Sequence, residues 1–225
     1  MRELSRQAAA DDEPFVHHAD EHLLVLEKPS GLLCVPGRGE DKQDCLSERV
    51  RRRYPDALIV HRLDMATSGL WVMARGARMQ RLLGDAFAQH QVDKRYVAVV
   101  SGQLRAALPQ EQWTLIDLPI AADWPNRPLR VIDQERGKPS QTRWRVLSHD
   151  ETSNTTRVEL APLTGRSHQL RLHLRSLGHP ILGDVLYASP EVCSRSARLL
   201  LHASELHFAH PATGQRMSVR SAVPF

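Results

Sequence analysis

The apolar positions of this chain fall into short runs separated by turn residues, the pattern of a sheet-rich domain rather than of a helical bundle. Val16 to Glu27 reads as a strand, Pro29-Ser30-Gly31 as a turn, and Leu32 to Val35 as a second strand before Pro36-Gly37. Ala57-Leu58-Ile59-Val60 and Leu70-Trp71-Val72-Met73-Ala74 predict strands on either side of a compact loop. Lys94 to Val100 predicts another, closed by Ser101-Gly102, and Gln141 to Leu147 pairs with Arg157 to Leu160 around a polar turn. Leu199 to Phe208 and Met217 to Val219 are the last two strands, with Pro211 to Gly214 turning between them.

Three segments carry helical spacing instead. Asp44 is placed to cap a short helix from Cys45 to about Arg53, which Pro55 ends. Met79, Leu82, Leu83 and Phe87 form one apolar stripe on a helix over residues 77–90, a stripe that belongs to the core. Leu170, Leu174 and Leu177 do the same for Ser167 to Leu177, with Gly178 as the C-cap. From Leu104 to about Gly137 the chain reads as irregular, because Asp123-Trp124-Pro125-Asn126-Arg127-Pro128 is too rich in proline for a helix or a central strand. The expected fold class is therefore α+β, with a mixed, mostly antiparallel sheet and flanking helices and loops. No repeat or linker divides it, so residues 15–225 are expected to form a single domain behind a mobile, polar tail over residues 1–14.

Composition narrows the class. A length of 225 residues suffices for a real core, and the net charge of +4, with arginines crowded into a few segments, favours an acidic partner such as nucleic acid met on one face. Cys34, Cys45 and Cys193 are far apart and odd in number, which argues against a disulfide framework or a zinc site and for a reducing cytosol. The start has no apolar leader and no window approaches ~18 apolar residues, so neither export nor a membrane partner is expected and the chain is assigned to the cytoplasm. GxGxxG and Walker lysine motifs are missing as well.

The candidate chemistry sits in the loop His61-Arg62-Leu63-Asp64-Met65-Ala66-Thr67-Ser68-Gly69, between two apolar runs. It offers one carboxylate, one guanidinium, two hydroxyls and a glycine on backbone anchored at both ends. An Asp ahead of Thr-Ser-Gly can equally cap a turn. The arginines at 49, 51, 52 and 53 suit either phosphate or a solvated helix face.

HRLDMATSG, together with EKPSGLLCVPG, the Lys94-Arg95-Tyr96-Val97-Ala98 segment, Thr164-Gly165-Arg166-Ser167-His168-Gln169-Leu170-Arg171-Leu172-His173 and Arg198-Leu199-Leu200-Leu201-His202-Ala203, resembles the RluA class of RNA pseudouridine synthases. The resemblance runs from about Val16 to the C-terminus. It implies the pseudouridine synthase fold, no cofactor, and conversion of a uridine in RNA to pseudouridine. DWPNRP, GKPSQT and GHPILGDVLYASP, with no room for the family's additional N-terminal RNA-binding domain, are most similar to members acting on tRNA anticodon stem-loops and 23S rRNA. The implied partner is thus an RNA stem-loop, with no obligate protein partner.

Residue by residue, the resemblance makes Asp64 the catalytic acid, as a nucleophile at C1′ or as a base removing the 2′ proton; the two routes stay open. An ordinary glycosidase would present two carboxylates, whereas the loop offers one. A carboxylate closed off by a base stays ionised only beside a cation, and the resemblance supplies Arg166. Tyr96 is implied as the ring lying on the target base, Leu201 as an aliphatic pocket wall, and Arg62 as the side chain filling the RNA where the uridine has turned out. His168 and His173 are five apart and so do not form a metal pair on one helix face; they are expected in hydrogen bonds or the core. Arg127, Arg130, Arg143, Arg171 and Arg175 are phosphate candidates on charge alone.

Overall fold

The computed structural model describes residues 14–105 and 112–225, so the tail expected over 1–14 lies, Pro14 apart, outside the described residues. In chain order the described strands are β1 (Val16–Ala19), β2 (Leu23–Lys28), β3 (Ala57–Ile59), β4 (Ser68–Arg75), β5 (Asp93–Ser101), β6 (Thr114–Asp117), β7 (Ile120–Ala122), β8 (Arg130–Ile132), β9 (Gln141–Asp150), β10 (Thr155–Pro162), β11 (Leu201–Ala209) and β12 (Arg216–Arg220). The helices are α1 (Leu46–Arg53), α2 (Gly76–Ala88), α3 (Gln169–Ser176) and the single turn α4 (Pro190–Cys193). They form two compact units: residues up to Asp93 with Glu205–Ala222, and Lys94–Ser204 with Val223–Phe225.

In the first unit β2 pairs antiparallel with β1 and with β4, in a register that sets Leu23 opposite Ala74 and Lys28 opposite Gly69. β3 also pairs with β4, and β12 pairs with the second half of β11. Seven consecutive residues of β4, Ser68 to Ala74, are buried, as in a strand covered on both faces. Alternate positions Leu70, Val72 and Ala74 join Leu23, Val25, Leu206 and Phe208 in a core that α2 closes with Met79 and Leu83. Leu82, counted in the stripe from its spacing, is instead 40% exposed. The side chains spaced by four carry the packing.

Three local expectations change here. The single strand over Val16 to Glu27 is a hairpin, because Asp20 Oδ1 accepts the backbone N–H of His22 and of Leu23 and turns the chain. Leu32 to Val35 forms no strand and contributes one isolated bridge, Leu33 to Cys45. Helix α1 starts one residue later than expected, with Cys45 at the N-cap; the Asp44 carboxylate is taken by Arg49 at 2.9 and 2.6 Å.

In the second unit β5, β10, β9 and β6 run antiparallel in that order, with Tyr96 opposite Leu160 and Leu160 opposite Trp144. The stretch expected to be irregular contains β6 and a separate hairpin of β7 and β8, in which Ile120 faces Ile132 and Ala122 faces Arg130. The two prolines of its DWPNRP motif, Pro125 and Pro128, sit in the connecting loop and not in the strands, which is how a proline-rich motif and a hairpin coexist. Ile120, Leu172 and Tyr187 bind this hairpin to α3, with Leu129, Ile132 and Leu186 packed around them. The class is α+β, and the strand pairings described are antiparallel.

Candidate active site

Asp64 lies between β3 and β4 in the first unit, half-buried, while Arg62 beside it is exposed. The backbone that carries Asp64 is fixed residue by residue. The Thr67 N–H donates to Asp64 O at 3.1 Å, closing the turn on itself. Met65 O accepts the Gly31 N–H at 2.9 Å and the Lys28 Nζ at 2.8 Å, and Ala66 O accepts the Ser30 hydroxyl at 2.7 Å. Lys28 is completely buried, and its ammonium also donates to Pro29 O and Leu32 O, both at 2.7 Å. Three carbonyls thus meet the three N–H groups of one cation, and the turn at Pro29-Ser30-Gly31 is bolted under the Asp64 loop.

The residue before Asp64 is held by sulfur. Cys34 Sγ accepts the Leu63 N–H at 3.2 Å and lies 3.5 Å from Leu63 O, to which it donates. Burial pushes the Cys34 thiol up to about 11, so at neutral pH it keeps the proton that this second bond needs. Upstream, His61 O accepts the Trp71 indole N–H at 2.9 Å, His61 Nε2 accepts the Val72 N–H at 3.0 Å, and the imidazole stacks on Phe87 at 4.2 Å. The accepting role makes Nδ1 the protonated nitrogen of a neutral ring. Downstream, Thr67 and Ser68 are buried and Gly69 takes φ +111°, a backbone conformation that favours glycine.

Tyr96, Arg166 and Leu201 belong to the second unit. Tyr96 is half-buried on β5, and Leu201, the buried first residue of β11, lies on the strand next to it. Arg166 is exposed just before α3, and its Nε donates to Pro139 O at 3.3 Å. Its backbone is set by Gln169, which is 4% exposed: Oε1 accepts the Arg166 N–H at 3.0 Å and the Thr164 hydroxyl at 2.7 Å, and Nε2 donates to Gln141 O and Thr142 Oγ1 at 2.9 and 3.0 Å. His168, with φ +59°, bonds through Nδ1 to the Tyr187 hydroxyl at 2.7 Å. His173 is buried between Thr142 Oγ1 and Leu118 O at 2.9 and 3.0 Å, and burial lowers its basicity.

Arg171 is removed from the phosphate candidates. It is 3% exposed and forms a two-point ion pair with Asp184 at 2.8 and 2.6 Å, whose carboxylate also accepts the Leu186 and Tyr187 N–H groups. A guanidinium committed to a buried acid cannot leave it without stranding that charge. Lys28, Ser30, Cys34 and Gln169 were not singled out from the sequence for these roles. Their acceptors are mostly backbone groups, which carry no residue signature; only the proximity of Lys28-Pro29-Ser30-Gly31 to a turn hinted at them.

Among the described residues no group of three or more histidine, cysteine, aspartate or glutamate side chains is arranged to hold a metal, and no helix is long and apolar enough to cross a membrane.

Comparison with known proteins adds the remaining finding. A family model described as RNA pseudouridylate synthase matches residues 22–176, a span that includes Lys28, Asp64, Tyr96 and Arg166 and stops short of Leu201. The dual-specificity RNA pseudouridine synthase RluA of Escherichia coli strain K12 is 48% identical over 208 residues, 92% of this chain and 92% of its own. RluA of Yersinia pestis is 45% identical over 210 residues, 93% of this chain and 99% of its own. The solved structure of human RNA pseudouridylate synthase domain containing 1 superposes with a TM-score of 0.76 at 28% identity, covering 95% of this chain and 85% of that one.

Proposed function

Because this chain belongs to the RNA pseudouridylate synthase family, we propose that it isomerises a specific uridine in a tRNA anticodon stem-loop, a 23S rRNA stem-loop or both, with Asp64 as the catalytic carboxylate. As a member it is an isomerase acting on RNA. The N1 to C1′ bond of the uridine breaks, the base turns, and a C5 to C1′ bond forms; C5 loses a proton and N1 gains one, so the product is an isomer of the substrate and no atom of a cofactor enters the balance. The single observation that carries the role of Asp64 is the immobilisation of its loop, with Leu63, Met65 and Ala66 each held through the backbone by a side chain of residues 28–34. A reacting group needs its geometry set before substrate arrives.

In this reading Arg166 keeps Asp64 ionised and aligned, Tyr96 lies on the base, Leu201 walls the pocket, and Arg62 occupies the stack vacated by the flipped uridine. The exposure of Arg62 supports the last role. Arg166 and Tyr96 fall within the family match, and the buried Gln169 network supports a precise placing of Arg166. We take residues 15–225 as one catalytic domain working on a bare RNA stem-loop in the cytoplasm, without an obligate protein partner. Agreement with E. coli RluA over 92% of both chains supports that extent.

The test is single-turnover release of tritium from C5-labelled uridine in anticodon and 23S stem-loop RNAs. Asp64→Asn is expected to lower the rate at least on the order of 100-fold without loss of RNA binding. Full turnover by that variant would sink the assignment of Asp64.

A further inference from the structure

The β7–β8 hairpin ends in an exposed loop that has no part in the chemistry described above. Residues 124–128 are all exposed, and Trp124 stands out at 68%. A tryptophan so placed is costly to leave in water unless something covers it at work. Yet the loop is not slack. The Asp123 N–H donates to Leu129 O at 3.1 Å, the Leu129 N–H to Asn126 O at 3.0 Å, and the Asn126 amide donates to both oxygens of Asp123, at 3.2 and 3.0 Å.

On one face of the indole lies Arg127, its guanidinium carbon 3.5 Å from the ring centroid. That contact holds the ring flat, so the exposure belongs to the opposite face and the edges. The loop thus presents a rigid aromatic plate with a positive charge behind it. The acid of the same loop, Asp123, accepts the Asn126 amide on both of its oxygens.

From this geometry we infer that Trp124 is a stacking platform for an unpaired nucleobase of the RNA substrate, a nucleotide other than the target uridine, with Arg127 backing the ring. The inference rests on the reading of the chain as an RNA pseudouridine synthase. A nucleobase fits for two reasons. Every base has a π face, and the guanidinium behind the plate suits a ligand strung on phosphates. A protein partner fits poorly, since within the hairpin Trp124 is the large apolar side chain that is exposed, and a stable protein interface needs ~800 Å² on each side. The platform is also joined to the segment that carries Arg166. The Arg130 N–H donates to the Tyr187 hydroxyl at 2.9 Å, and the same hydroxyl bonds to His168 Nδ1 at 2.7 Å. RNA held at the hairpin is therefore referenced to the residues beside Arg166.

The test compares wild type, Trp124→Ala and Trp124→Phe in steady-state tritium release from a C5-labelled stem-loop RNA. Trp124→Ala is expected to raise KM roughly tenfold while kcat changes less than twofold, and Trp124→Phe, which keeps a stacking ring, to stay within about threefold of wild type in KM. An unchanged KM for Trp124→Ala, with wild type active, would overturn the platform and leave the activity standing. Equal loss in the alanine and phenylalanine variants would overturn it as well. No tritium release by wild type from any RNA would overturn the reading of the activity, and the platform with it.

Discussion

Two short loops carry the proposed chemistry, and they are immobilised in opposite ways. Around Asp64 the anchor is a charge: the buried ammonium of Lys28 binds the carbonyl of Met65 while tying down Pro29 and Leu32. Around Arg166 the anchor is neutral: the carboxamide of Gln169 accepts from Thr164 and Arg166 and donates to Gln141 and Thr142. Each loop is held by the kind of group that does not compete with its own functional side chain. A buried carboxylate under Asp64 would repel it, and an unpaired buried cation under Arg166 would compete with it for an acid; the buried cation nearby, Arg171, is already committed to Asp184. A cation under the carboxylate loop and an amide under the guanidinium loop avoid both conflicts.

The sharpest way to break this contrast is Lys28→Met, which keeps the volume of the stem and removes all three donors. It takes the ammonium from the carbonyls of Pro29 and Leu32 and leaves Met65 O with the Gly31 N–H alone, and urea unfolding is expected to show a loss of ~2 to 3 kcal/mol, with tritium release falling further than the folded fraction does. A Lys28→Met protein of unaltered stability would show that the ammonium is not the anchor. Gln169→Leu is the neutral counterpart. Removing its four hydrogen bonds without creating a charge is expected to cost ~1 to 3 kcal/mol, less than the lysine variant, with the activity deficit tracking Arg166. A larger loss for Gln169→Leu than for Lys28→Met would invert the ranking.

The smallest effect belongs to a charged anchor that is open to water. Burial pushes the Asp20 carboxyl up, but hydrogen bonds from His18, from the His22 and Leu23 N–H groups and from His210 outweigh it and hold the carboxyl well below the usual range. The folded state therefore binds this proton less readily than the unfolded chain does. Its stabilisation is complete above the unfolded value of about 3.9 and is lost as pH falls below it. Asp20→Asn is expected to lower Tm by a few degrees at pH 7, with the gap from wild type narrowing between about pH 4 and pH 2. A gap that stays constant over that interval would show that the charge of Asp20 contributes nothing.

How much of this was legible in advance differs from element to element. Strands β4, β5 and β10 follow from alternating or continuous apolar runs, and α2 from residues four apart. The β1–β2 hairpin reads as one strand in the sequence because the turn depends on the Asp20 carboxylate, a single polar residue within an otherwise extended pattern. The short strands β6, β7 and β8 are not legible in the sequence, because three or four residues give no period to detect and the prolines nearby point away from strand. Arg171 read as a surface cation since nothing local distinguishes it from Arg175, whereas Asp184, the partner that buries it, lies thirteen positions on.

By itself the sequence determined the family and hence the reaction, because Asp64, Tyr96 and Arg166 sit in motifs whose residue identities are the information. It also determined the α+β class, since the period of burial is written along each strand. What only the tertiary structure decided is which polar side chains became scaffolding. Lys28 could have ended a strand in solvent, and Gln169 could have faced water from the first turn of a helix. Each is buried where a distant segment delivers a backbone carbonyl to it, Met65 O to Lys28 and Gln141 O to Gln169. A carbonyl is the same at every position of the chain, so its place in space is set by the fold and never by the identity of the residue that bears it.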